Sequence, residues 1–286
     1  MSTRAAVLGH PISHSLSPVL HQAAYQALGL DWEYTAVDVD VAYLEAFLSS
    51  RDDQWGGLSL TMPLKVEAAR LADAIEPQAR LLGIVNTLIP SGRGTYRQWV
   101  GANTDIYGIV AALREGGRDR AERAVVLGGG ATAISAAAAL GSMGVTHPVI
   151  VVRSRARAGH LLRACTAMGL QPHLMGWDDA AVTAALVHAD AVVSTVPASA
   201  GEQVATRLSG TVSDHATGQI SGTLLDVIYD PLVTPLAQMW IRAGGSAIAG
   251  TRMLLHQAGE QVRLMTGQVA PLGAMDAALS AVMGAM

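Results

Sequence analysis

Ala124–Val152 reads AVVLGGGATAISAAAALGSMGVTHPVIVV, with no formally charged residue between Arg123 and Arg153. A run of that length could span a bilayer. Its punctuation argues otherwise. The triplet Gly128-Gly129-Gly130, then Gly141, Gly144 and Pro148, cut it into two short β-branched runs, AVVL and VIVV, on either side of an alanine-rich middle. Strand, glycine turn, helix, strand accounts for the pattern, because parallel strands buried on both faces read as continuous apolar runs.

The turn itself reads Gly128-x-Gly130-x-x-Ala133, directly after a strand and directly before a helix, which is the context a dinucleotide fingerprint requires. Glycines let the backbone approach a pyrophosphate, and the helix N-terminus offers unpaired N–H groups to its charge. A glycine cluster alone can be only a tight turn, so the next strand matters. NAD-binding domains place an Asp or Glu ~20 residues past the glycines, on the ribose 2′-hydroxyl. Here VIVV runs into Arg153-Ser154-Arg155-Ala156-Arg157. Guanidinium groups bind a 2′-phosphate with planar, charge-assisted hydrogen bonds, whereas a carboxylate repels it. The reading favours NADP over NAD. A solvated basic helix start is the plainer alternative, but cations at a helix N-terminus oppose its dipole and need a compensating anion.

Outward from this stretch, the first hundred residues alternate strand-like runs (AAVLG, YTAVDVD, GGLSL, GIVNTLI) with helix-like runs (SPVLHQAAYQALG, PLKVEAARLADAI), an α/β pattern. The series restarts after Gly101, so a second domain is expected. From AIAGTRMLLHQAGEQVRLMTG onward the chain reads as helix, with no strand-like run.

The 286 residues are half apolar, and the net charge of −4 comes without blocks of like charge, which argues against nucleic acid or an anionic membrane as partner. A small soluble substrate is the default. The single cysteine, Cys165, and an N-terminus without a long apolar core point to the cytoplasm. His10, His14 and His21 have no carboxylate or cysteine at ligand spacing, so no metal is expected. Ser13, Ser15 and Ser17 precede an apolar helix pattern, where serines usually serve as caps.

The 19 basic residues comprise 18 arginines and one lysine, Lys65, and the only asparagines are Asn86 and Asn103. All three fall in short polar motifs: LSLTMPLK, GIVNT and GANTD. In a chain that has drifted away from Lys and Asn, the survivors mark chemistry that is hard to substitute.

Taken in order, SHSLSP, LTMPLK, VNT, NTD, GGGATA, DVIYDPLVTPL and GTRMLLHQAGEQ resemble the shikimate dehydrogenases over nearly the full length. The resemblance implies NADP-dependent, reversible reduction of 3-dehydroshikimate to shikimate, on the way to chorismate and the aromatic amino acids. It implies a two-domain α/β chain: an N-terminal substrate domain (1–103), a Rossmann-type doubly wound NADP domain (104–245), and C-terminal helices (246–286) returning to the first, with substrate and nicotinamide meeting between the domains. Carried over by position, Ser15 and Ser17 would hold the substrate carboxylate, with Tyr229 near it. Thr61, Lys65, Asn86, Asp105 and Gln257 would surround the ring hydroxyls. Gly128, Gly129, Gly130 and Ala131 would cradle the pyrophosphate of NADP, and Arg153, Ser154 and Arg157 its 2′-phosphate; Gly250 and Met253 would lie beside the nicotinamide, and Thr195 would also contact the cofactor. Two positions depart from the pattern, since the family often has Asn where Ser59 and Val152 stand here.

Reducing a ring ketone needs a hydride and a proton for the nascent alkoxide. Arginine does not surrender a proton near neutrality, and lysine can when its surroundings lower its pKa. Lys65 is therefore the expected general acid/base, with Asp105 orienting the amine. A quinate/shikimate dehydrogenase using NAD would instead carry an acid at Arg153, and a non-catalytic NADP-binding regulator would have lost Lys65 or Asp105. A monomer or homodimer is expected.

Overall fold

A computed structural model describes residues 2–214 and 220–285. The chain divides into two compact units, residues 1–104 with 254–286, and residues 105–253.

The first unit contains β1 (Thr3–Gly9), α1 (Ser17–Ala27), β2 (Trp32–Asp38), α2 (Val41–Ser49), β3 (Trp55–Leu60), α3 (Lys65–Leu71), β4 (Ala74–Ile75), α4 (Pro77–Leu82), β5 (Thr87–Ser91) and β6 (Gln98–Ala102). Its sheet runs β2-β1-β3-β5-β6-β4. β1, β2 and β3 are parallel; β5 pairs antiparallel with both β3 and β6. Leu8, Leu58, Leu60 and Leu88 of the strands pack with Leu44 and Leu48 of α2 and Leu64 and Ala68 beside and within α3. Two elements differ from the sequence reading. Ala74-Ile75 leaves the expected helix to pair with Val100-Gly101, and the strand QWVGA is too short and mixed to be read from its pattern. Pairing supplies the backbone hydrogen bonds that local preference does not ask for.

The second unit contains α5 (Asp105–Glu115), β7 (Ala124–Leu127), α6 (Ala131–Ser142), β8 (Val149–Val152), α7 (Gly159–Ala167), β9 (His173–Gly176), α8 (Ala181–Val187), β10 (Ala191–Ser194), α9 (Ala198–Asp214), β11 (Thr223–Asp226), α10 (Pro235–Arg242) and β12 (Ser246–Ala249). The strands are all parallel, in the order β12-β11-β10-β7-β8-β9. This is the doubly wound order, with its reversal between β7 and β10 at the C-terminal end of β7. Val125, Leu127, Val151, Val192 and Leu224 form the strand layer of the core, closed by Trp240. Trp240 donates its indole N–H to the Gly222 carbonyl (2.9 Å). The alanines of α6 are buried from Ala136 to Ala139, small enough for the helix to lie close to its neighbours.

The chain passes between the units after Thr104 and, within α11 (Gly250–Thr266), after Met253. The strand β12 corrects the reading of the C-terminal region as helix throughout: SAIA is short, and parallel pairing with β11 makes it a strand. α12 (Leu272–Ala285) packs along α1. Among the described residues no helix is long and apolar enough to cross a membrane. The apolar stretch 124–152 is a strand, a helix and a second strand.

Candidate active site

In the second unit, β7 ends at Leu127 and α6 begins at Ala131, so Gly128, Gly129 and Gly130 form the whole turn. Gly128 has φ +121°, and a Cβ there would stand 2.3 Å from Thr195 Oγ1. Thr195 is itself pinned: its hydroxyl and its N–H both donate to the Leu127 carbonyl, at 2.8 and 2.9 Å. A Cβ at Gly129 would press on Val152 Cγ1 at 3.1 Å, whereas Gly130 faces open space. Gly130 is the N-cap of α6 and supplies no side-chain cap, which leaves first-turn N–H groups for an anion.

Gly129 and Gly130 share one cavity, of about 410 Å³, with Val152, Arg153, Ser154 and Arg157. The three arginines separate in role. Arg155 turns to Asp179, Nη2 to Oδ2 3.6 Å, while Arg153 and Arg157 line the cavity. Arg153 directly follows β8, and Arg155 and Arg157 lie on a 3₁₀ turn before α7 rather than in its first turn as a basic helix start would, so the dipole argument weakens and the cavity carries the case. With a cradle that side chains would fill, an uncapped helix start and two guanidinium groups, the residues fit a dinucleotide 2′-phosphate.

Gly250 opens α11 with its Cα against the Val227 carbonyl; a Cβ there would lie 2.3 Å from that oxygen. Met253 follows one turn on and is buried. Tyr229 is half-buried after β11, its phenol pushed up by burial and then by Asp230. Asp105 is the first residue of α5, fully buried, with the Ser135 hydroxyl donating to Oδ2 at 3.5 Å.

In the first unit, the loop after β1 lies beside the loop after β3. His10 N–H donates to Met62 O (3.1 Å), and Thr61 N–H to Leu8 O (2.9 Å). These bonds bring Thr61 and Met62, after β3, against Leu8 and His10, at the end of β1 and just after it. The N-cap of α1 is Leu16, which makes no side-chain cap bond; Ser17 is the first helical residue, and Ser15 Oγ accepts its N–H at 3.3 Å. Of the two serines, Ser15 does some capping work and Ser17 does not occupy the cap. Lys65 opens α3 half-buried, and its carbonyl accepts from Val85 N–H (3.0 Å), tying the helix start to the residue before Asn86.

Asn86 is buried and oriented without ambiguity. Its Oδ1 accepts the backbone N–H of Thr104 (2.8 Å), which can only donate, so Nδ2 is the other arm, donating to Thr104 Oγ1 (3.0 Å) and reaching Gln257 Oε1 at 3.4 Å. Gln257 on α11 thus joins Asn86. Asn103, by contrast, is structural: its Nδ2 donates to Ile84 O and its N–H to Glu76 Oε1.

Sequence reading gave no role to Tyr34 or Gln261, and weighed His21 only as a metal ligand. Tyr34 and Gln261 meet at Ser59, and His21 stacks on Tyr34 with ring centroids 3.9 Å apart. Only the departure at Ser59 signalled them. Among the described residues no group of three or more His, Cys, Asp or Glu is placed to hold a metal.

Comparison with known proteins gives consistent results. Residues 7–88 match the family described as shikimate dehydrogenase substrate binding domain, and residues 250–279 the shikimate 5′-dehydrogenase C-terminal domain. A shikimate dehydrogenase (NADP(+)) of Moorella thermoacetica is 35% identical over 98% of this chain and 93% of its own. The crystal structure of Mycobacterium tuberculosis shikimate dehydrogenase superposes with TM-score 0.85 at 40% identity, covering 98% of this chain and 99% of that one. A Thermus thermophilus shikimate 5-dehydrogenase, in complex with NADP(H) and shikimate, gives TM-score 0.78 at 28% identity, covering 98% and 99%.

Proposed function

The chain belongs to the shikimate dehydrogenase family, and from that membership we propose how its residues divide the work of an NADP-dependent oxidoreductase that reversibly reduces 3-dehydroshikimate to shikimate, a step toward chorismate and the aromatic amino acids. The observation that carries the cofactor choice is the single cavity shared by the glycine turn and Arg153, Ser154 and Arg157, with arginine where an NAD site needs an acid. Bound NADP supplies or accepts the hydride at its nicotinamide.

The chain's own residues do the rest. Gly128, Gly129, Gly130 and Ala131 hold the pyrophosphate against the start of α6, on the floor made by Thr195, and Arg153, Ser154 and Arg157 hold the 2′-phosphate. Gly250, with no room for a side chain, and the buried Met253 would be the residues to meet the nicotinamide. Ser15 and Ser17 bind the substrate carboxylate, with Tyr229 toward that end. Thr61, Asn86 and Gln257 bind ring hydroxyls; Asn86 suits this because its amide orientation is settled before substrate arrives. Lys65 gives the alkoxide its proton in reduction and takes the hydroxyl proton in oxidation, and Asp105 completes the acid/base set. The domain roles follow: residues 1–103 and the C-terminal helices for substrate, the doubly wound unit for NADP. The substrate is a small anion rather than nucleic acid, the compartment cytoplasmic, and the assembly a monomer or homodimer.

Initial rates with shikimate or quinate, each with NADP or NAD, test this reading. Shikimate with NADP should give the highest kcat/KM; quinate with NAD in first place would assign the chain to the quinate-type activity instead.

A further inference from the structure

Ser59 stands where the family often has Asn, and the structure places a second amide, Gln261, against it from α11. Ser59 and Thr87 are direct partners across the antiparallel β3–β5 pair, and Gln261 bridges them. The Tyr34 hydroxyl contacts Ser59 Oγ at 2.6 Å, Ser59 Oγ contacts Gln261 Oε1 at 3.0 Å, Gln261 Nε2 contacts Thr87 Oγ1 at 3.2 Å, and Thr87 Oγ1 contacts Asn86 Oδ1 at 2.9 Å. All five residues are buried.

The direction of this chain is forced from one end. Thr104 N–H can only donate, so the Asn86 atom it meets is Oδ1. Thr87 must then spend its one hydroxyl proton on Asn86 Oδ1, and its oxygen accepts from Gln261 Nε2. The second Nε2 proton of Gln261 reaches the Asn86 carbonyl at 3.4 Å. Gln261 Oε1 is left to accept from Ser59, and Ser59 accepts from Tyr34. Each donor has one assignment, and the relay ends on Asn86, the residue proposed to bind a ring hydroxyl.

We propose that Gln261 is a positioning residue for substrate: held by Ser59 on β3, it fixes the Asn86 side chain through Thr87. The inference rests on the reading that Asn86 binds a ring hydroxyl. Losing one net hydrogen bond's worth of orientation should raise the KM for shikimate roughly three- to tenfold, with the KM for NADP unchanged.

The test is a double-mutant cycle in the intact enzyme with Gln261→Met and Asn86→Ala, reading KM for shikimate, KM for NADP, kcat and thermal midpoint. If Gln261 acts through Asn86, Gln261→Met raises the shikimate KM alone but adds nothing in the Asn86→Ala background. Additive effects, or a lowered midpoint with both KM values unchanged, overturn the proposal. Should Gln261→Met fail to fold, Thr87→Val cuts the same relay one link further on and must give the same non-additivity. An Asn86→Ala enzyme with unchanged shikimate KM would instead refute the reading of Asn86.

Discussion

The two units carry candidate site residues held in place by different materials. In the doubly wound unit the anion cradle is backbone: a turn of three glycines, one of them at φ +121°, a helix start without a side-chain cap, and two arginines at the end of the adjacent strand. In the other unit the groups proposed to meet substrate are side chains held by further side chains: Asn86 by Thr87 and by the Thr104 backbone, Thr87 by Gln261, Gln261 by Ser59, and Ser59 by Tyr34. A backbone cradle is specified by consecutive residues and tolerates little at them. A side-chain network is specified by residues far apart, as Ser59 and Gln261, 202 positions apart, illustrate.

That contrast can be broken most severely at Lys65. Lys65→Arg keeps the charge and removes the proton that can be surrendered, so kcat should fall by about 10²–10⁴ with much smaller changes in KM. Turnover near wild type for Lys65→Arg across pH 6–9 would mean that position 65 supplies charge alone.

The next largest effect concerns the buried side-chain network. His21 is fully buried, and loss of hydration pulls its pKa down to about 4, partly offset by its ring N–H bond to the Ser17 carbonyl (3.0 Å). An unfolded histidine has its ordinary value near 6.5, so between those values the unfolded chain binds the extra proton. The neutral ring costs nothing in this respect above pH ~6.5, and stability is lost as pH falls toward 4, by up to about 3 kcal/mol. His21→Phe keeps the stack on Tyr34 and removes the titration. Urea unfolding at pH 7 and at pH 4.5 should show a smaller acid loss for the variant than for wild type; equal losses would show that His21 is not the group responsible.

Arg153→Ala probes the charged wall of the backbone cradle. Removing one charge-assisted contact should cost about 1.5–3 kcal/mol of NADP affinity, one to two decades, with NAD little affected. The ratio of kcat/KM for NADP to that for NAD reads this directly, and an unchanged ratio would remove Arg153 from the 2′-phosphate site.

The smallest effect sharpens the glycine turn itself. Gly130→Ala meets open space and an ordinary φ of −86°, so its change in stability should stay within about 0.5 kcal/mol, whereas Gly128→Ala meets Thr195 and a left-handed φ and should cost about 1–3 kcal/mol. Thermal unfolding without nucleotide separates the two; equal costs would mean that the turn relaxes as a whole.

The sequence by itself determined the doubly wound order of events from 124 to 157 and the arginines at the end of β8, because glycine punctuation, apolar runs and charge are local properties whose physical meaning does not depend on distant residues. It also exposed Lys65 and Asn86, the survivors in a chain nearly free of Lys and Asn. Tertiary structure alone decided the rest. Ala74-Ile75 and Ser246–Ala249 become strands only because a neighbour's backbone is there to pair with. Arg155 parts from Arg153 and Arg157 only because α8 is preceded by Asp179. Ser59 and Gln261, 202 positions apart, carry no shared signal in the chain, since a buried hydroxyl and a buried amide acquire partners only when a strand and a helix are packed against each other, and their polarity costs stability until they do.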